Sequence, residues 1–83
     1  MEIKVRFFAL YRERTGRSNV GLVLTEGATV RDALGQLRLM FPHLAPPNVD
    51  ILVAVNATYV SPDHALDDGD EVALIPPVSG GAL

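Results

Sequence analysis

Cysteine and tryptophan are absent from these 83 residues, and lysine and arginine are absent from the whole second half. Without a thiol the chain can form no disulfide framework, no thiolate metal site and no cysteine nucleophile. Long apolar runs are missing too: none approaches the roughly 18 residues of a membrane span. The N-terminus alternates polar and apolar residues and so lacks the continuous core of a signal peptide. All seven basic residues (Lys4, Arg6, Arg12, Arg14, Arg17, Arg31 and Arg38) precede position 39, and the net charge is −3. A nucleic-acid binder needs a concentrated basic face against phosphate, which this distribution does not offer. The expectation is a soluble cytoplasmic protein with neither a membrane nor a nucleic acid as partner.

What is present is the composition of a folded domain, 48% hydrophobic and 20% charged. A chain of this length supports one core and not two. Five of the ten acids fall between Asp63 and Glu71. They either solvate turns or form an acidic surface for a basic partner.

The stretch "EIKVRFFAL" predicts a strand with Ile3, Val5 and Phe7 on one face and Glu2, Lys4, Arg6 and Phe8 on the other, which leaves Phe8 an exposed aromatic. "YRERTGR" reads as a turn or one short helical turn, with Gly16 suited to a left-handed close. "SNVGLVLT" follows as a second strand, antiparallel to the first across so short a connection. The helix signal lies in "EGATVRDALGQLRLMFP": Thr29 is a suitable N-cap, Asp32 supplies a carboxylate in the first turn, and Pro42 ends the helix. Val30, Ala33, Leu34, Leu37 and Phe41 make its apolar stripe. "ILVAVN" is a near-continuous apolar run, as expected of a central strand buried on both faces. "ATYV" predicts a short edge strand after a turn near Asn56. "EVALIP" ends the series, with Val72 and Leu74 pointing inward and Ile75 on the solvent-type face that Phe8 also occupies. A hairpin, one main helix and further strands predict an α+β fold, one sheet wrapped over a helix; the order fits a ubiquitin-like β-grasp. The expected division is a β-grasp domain over residues 1–76 and a flexible tail over 77–83.

No side chain offers a reaction. His43 stands in a proline-rich loop and His64 beside acids, without the third ligand a metal site would need. Asp67, Asp68 and Asp70 resemble a fragment of a calcium loop, but the glycine and closing glutamate are misplaced. The glycines are scattered, so no loop cradles a phosphate, and no serine has a histidine placed as its base. No bound cofactor is expected.

The C-terminus, "ALIPPVSGGAL", remains. A chain ending at Gly81 would present a carboxylate ionised at neutral pH on a residue with no Cβ. Gly80 and Gly81 could thread a channel too narrow for side chains. Pro76 and Pro77 would stiffen the exit from the sheet and reduce the entropy lost on insertion into a partner. Extended, Pro76 to Gly81 reaches roughly 20 Å. Such a tail suits delivery of a terminal acyl group into another protein's active site; a frayed glycine-rich end is the alternative.

The stretches "KVRFFALYRERTG" and "LVAVNATYVSPDHALDDGDEVALIPPVSGG" resemble the small subunit of molybdopterin synthase, the MoaD family, over essentially residues 2 to 81. The resemblance is most specific at "AVN", "DGDEVA" and "PPVSGG". It implies that the Gly-Gly carboxylate is adenylated with ATP by a MoeB-like, ubiquitin-activating-type enzyme. A sulfur donor protein then converts the acyl adenylate to a thiocarboxylate. The tail inserts into the MoaE-like large subunit of a heterotetramer and passes its sulfur to cyclic pyranopterin monophosphate. Gly81 is then the acyl carrier, with Gly80 the slim residue behind it. The partner surface implied comprises Phe8, Tyr59 and Ile75, with Arg12 nearby, and continues into Pro76, Pro77, Val78 and Ser79. Ala82 and Leu83 depart from the pattern, because they make the Gly81 carbonyl an ordinary amide. Either a peptidase removes them, or they do not belong to the native chain, or the protein is a ubiquitin-like interaction module without acyl chemistry. A sulfur carrier for thiamine or tRNA thiolation is a further alternative.

Overall fold

The computed structural model describes residues 1–76. Pro77, Val78, Ser79, Gly80, Gly81, Ala82 and Leu83 lie outside the described residues, and with them everything expected of the tail.

Strand β1 (Glu2–Phe7) buries Ile3, Val5 and Phe7 and exposes the residues between them, as its alternation predicts. Helix α1 (Ala9–Thr15) is longer than the single turn expected. Phe8 precedes it in extended conformation, and Gly16 closes it with φ 72° and a bond from its N–H to the Arg12 carbonyl. Tyr11 is the one α1 side chain that is buried, so the sequence shows no apolar stripe there. Strand β2 (Asn19–Val23) returns antiparallel to β1, with Ile3 opposite Leu22.

Helix α2 (Val30–Met40) starts in a capping box. The Thr29 side chain accepts from the Asp32 N–H, and the Asp32 carboxylate accepts from the Thr29 N–H at 2.9 Å. Two further N-terminal donors are met from outside the helix, Val30 by the His64 carbonyl at 3.0 Å and Arg31 by that of Pro62 at 2.9 Å. Val30, Ala33 and Leu37 are buried, Leu34 is half-buried, and Phe41 caps the C-terminus with its ring edge-on to Phe7 at 5.4 Å.

Strands β3 (Leu52–Val55), β4 (Thr58–Val60) and β5 (Glu71–Ile75) complete a five-stranded sheet in the order β2-β1-β5-β3-β4. Strands β1 and β5 run parallel at its centre and the other pairs are antiparallel. This is the β-grasp arrangement, a mixed sheet over one main helix. The turn into β4 places Asn56 at φ 48° and Ala57 at φ 71°, a two-residue hairpin of the primed kind. One expectation needs correction. The middle of the sheet is β5, and β3 is not buried on both faces: Val53 and Val55 join the core, Ala54 is covered on the opposite face, but Leu52 is 45% exposed. Among the described residues helices cover only one face of this sheet, and at the end of β3 the Leu52 side chain stays half exposed on the other.

The start of β5 is locked by short polar contacts. The Asp70 carboxylate accepts from the Asn56 amide at 2.9 Å and the Asp67 N–H at 2.8 Å, while the Asn56 carbonyl oxygen accepts from the Glu71 N–H at 3.0 Å. Asp68 accepts from the Glu2 N–H at 2.6 Å. Asp68 and Asp70 therefore close the turn before β5 and tie it to the start of β1.

Candidate functional site

The chain leaves the sheet at the end of its central strand, after Ile75 and Pro76. The register fixes what surrounds that exit. Across the face away from α2, Arg6, Ala73, Ala54 and Tyr59 form one row over β1, β5, β3 and β4. Ile75 is opposite Leu52 in the next row, and continuing the parallel register from the Phe7–Leu74 pair sets Phe8 beside Ile75. Phe8 is 38% exposed, Leu52 45% and Tyr59 66%; Ile75 and Pro76 are half-buried. A row of apolar side chains thus borders the exit, with two alanines forming a shallow floor between it and Tyr59.

One row further from the exit, Lys4 is opposite Glu71, and the Arg6 guanidinium lies 3.7 Å from the Glu71 carboxylate with both side chains about half exposed. A pair so placed contributes at most about 1 kcal/mol. Arg6 also stands 5.4 Å from the Phe8 ring centre, which holds the aromatic against the sheet at the corner where α1 begins. The face is therefore divided, with charges towards the start of β5 and apolar side chains towards its end. Exposed apolar side chains that cluster in this way mark a surface for another protein.

Of the residues singled out in the sequence, Phe8, Tyr59, Ile75 and Pro76 come together on this face. Arg12 is exposed on α1, just past the Phe8 corner. Leu52, Ala54 and Ala73 belong to the same surface but were not singled out. Parity was the available signal: if Val53 and Val55 face the core, Leu52 and Ala54 face away, yet the unbroken apolar run obscures the alternation.

Among the described residues no group of three or more metal-ligating side chains occurs. In the core, burial pushes the Tyr11 phenol above its usual value, opposed by the Arg14 and Arg38 cations. The described residues thus assemble an exposed apolar row at the end of β5.

Residues 5–81 match the family described as the ThiS family. The chain is 43% identical over 83 residues to the molybdopterin synthase sulfur carrier subunit of Chlamydomonas reinhardtii, covering 98% of this chain and 100% of that protein. It is also 43% identical over 81 residues to the Escherichia coli (strain K12) molybdopterin synthase sulfur carrier subunit, covering 95% and 99%. Among solved structures it resembles small archaeal modifier protein 1 of Haloferax volcanii, with a TM-score of 0.84, 30% identity, and 93% and 98% of the two chains covered.

Proposed function

The chain belongs to the ThiS family over residues 5–81, and from its likeness to molybdopterin synthase sulfur carrier subunits we propose that it is the sulfur carrier subunit of a molybdopterin synthase. The observation that carries the reading is the placement of the apolar row at the end of β5, immediately before the segment of sequence Pro-Val-Ser-Gly-Gly at residues 77–81. Docking of Phe8, Leu52, Tyr59 and Ile75 on a partner directs the chain beyond Pro76 towards that partner's active site.

The reactive group is the Gly81 carboxylate, exposed after hydrolysis of the Gly81–Ala82 peptide bond. A carboxylate oxygen attacks the α-phosphorus of ATP in a MoeB-like activating enzyme, and pyrophosphate leaves. A persulfide-bearing donor protein supplies sulfur to the acyl carbon, AMP leaves, and reductive cleavage of the sulfur–sulfur bond by a thiol yields the thiocarboxylate. Inside a MoaE-like large subunit the sulfur passes to cyclic pyranopterin monophosphate, and two such transfers build the dithiolene. The partners provide the nucleotide site and the proton-transfer groups. This chain contributes a carbonyl with no Cβ beside it and a surface that brings it to them. The assembly is a cytoplasmic heterotetramer.

Intact mass spectrometry of the protein from its native host tests the reading. A species shortened by Ala82 and Leu83, part of it with oxygen exchanged for sulfur, is the expected result. A full-length species alone, while the cofactor is being made, would remove the carrier chemistry. It would favour the second reading, a ubiquitin-like interaction module, which the presence of Ala82 after Gly81 supports.

A further inference from the structure

Between α2 and the β3–β4 edge lies a groove of about 650 Å³. Arg31, Leu34, Gly35 and Arg38 line its helical wall, residues whose spacing puts them on one face of α2. Val49 and Ile51 line the opposite side, and Leu52 and Tyr59 carry it onto the outer sheet face described above.

Gly35 is unexplained by the fold. It sits inside an 11-residue helix, where glycine is less stable than alanine. Its backbone is not in the left-handed region, and a Cβ built there meets nothing within 4 Å. No internal contact requires it; what its missing side chain leaves is a notch in the groove wall, open from outside. The groove's cations are already engaged. Arg31 pairs with the Asp63 carboxylate, and the Arg38 guanidinium donates to the carbonyls of Ala45, Pro46 and Val49. Asp50 adds a negative charge to the lining, so an anionic occupant is disfavoured. The remaining surface is mainly aliphatic.

We propose that this groove is a second contact area for the large subunit, taking an uncharged aliphatic segment of it that passes round the β4 edge and approaches α2 at Gly35. The inference rests on the docking of the outer face proposed above, with which the groove is continuous through Leu52 and Tyr59.

The test is calorimetric titration of the full chain with its cognate large subunit, beside thermal unfolding of each variant. Gly35→Leu is expected to melt at or above the wild-type temperature, since it improves helix propensity and meets open space, yet to bind at least about tenfold more weakly. Because the chain has no cysteine, Gly35→Cys supplies a single thiol, expected to be alkylated readily in the free protein and at least about tenfold more slowly in the complex. Arg17→Cys, exposed beyond α1, should remain reactive in both. If Phe8→Asp loses binding while Gly35→Leu binds as wild type and the Gly35→Cys thiol stays reactive, the groove is not a contact and the inference fails with the proposed function intact. If neither Phe8→Asp nor Gly35→Leu alters affinity, the proposed docking fails and the inference falls with it.

Discussion

Phe8 follows a strand that buries every second side chain, and it stands on the strand's exposed side, where charged residues precede it. It makes no large contribution to the core, so Phe8→Asp should change stability by less than about 1 kcal/mol. Burying a carboxylate among Ile75, Leu52 and a partner's apolar side chains should weaken binding to the large subunit by about 2 kcal/mol or more. Calorimetry checks this, and unchanged affinity would exclude Phe8 from the interface. Asp70 presents the opposite case, a charged side chain only 9% exposed. Its value is structural: it holds the Asn56 amide and the Asp67 N–H at the entry to β5. Asp70→Ala should cost about 2–3 kcal/mol in urea unfolding, because the Asn56 amide and the Asp67 N–H then lack their acceptor; a loss below about 0.5 kcal/mol would contradict this. The motifs "AVN" and "DGD" are thus explained by turn closure far from the tail. Nothing in their spacing announces that Asn56 and Asp70 meet, since that contact forms only when β3 and β5 pair.

At the level of elements, α2 was legible because its determinants are local. A capping residue, a carboxylate at the third position and a 3.6-residue apolar period all lie within one short segment. Helix α1 is less legible because a single buried side chain, Tyr11, defines its inner face. The proline-rich loop of residues 42–50, which carries His43, also contributes to the core: Leu44 is fully buried and Ala45 nearly so. Two arginines brace it, Arg14 through the Leu44 carbonyl at 3.0 Å and Arg38 through those of Ala45, Pro46 and Val49 at 2.9–3.0 Å. Arg38→Met keeps the aliphatic stem and removes all three donations. It should destabilise the protein by about 2 kcal/mol and speed amide exchange at Leu44 and Ala45 more than in β1 or β5. Uniform acceleration throughout the chain would show that Arg38 does not act on the loop specifically.

For the molecule as a whole, the decisive pairing is the parallel one between the first strand and the last, which joins the two ends of the sequence at the centre of the sheet. Tyr11 packs into the same core, and burial raises its phenol above the ordinary value of about 10, while Arg14 and Arg38 act in the opposite sense. Below that pH the phenol is neutral in both states and its contribution is fully present. Above it the unfolded chain loses the proton first, so the native state binds more protons and stability falls as pH rises through the native value. Urea unfolding from about pH 9.5 upward should therefore show a steeper decline for the wild type than for Tyr11→Phe. Parallel declines would mean that the phenol is not desolvated in the native state.

The chain's sequence already excludes a disulfide framework, a thiolate site and an apolar run long enough for a membrane-crossing helix, because those depend on residues it does not contain or on a run length it does not reach. Period and parity, which are local, yield the order of strands, the main helix, and the outward faces of Phe8 and Ile75. The position of β5 at the centre, the row of Phe8, Ile75 and Leu52 at the exit, and the groove beneath Gly35 depend on pairings between residues far apart in the chain. Side-chain alternation specifies which face a residue takes, but not which strand lies beside it; that choice follows from packing all five strands against one helix.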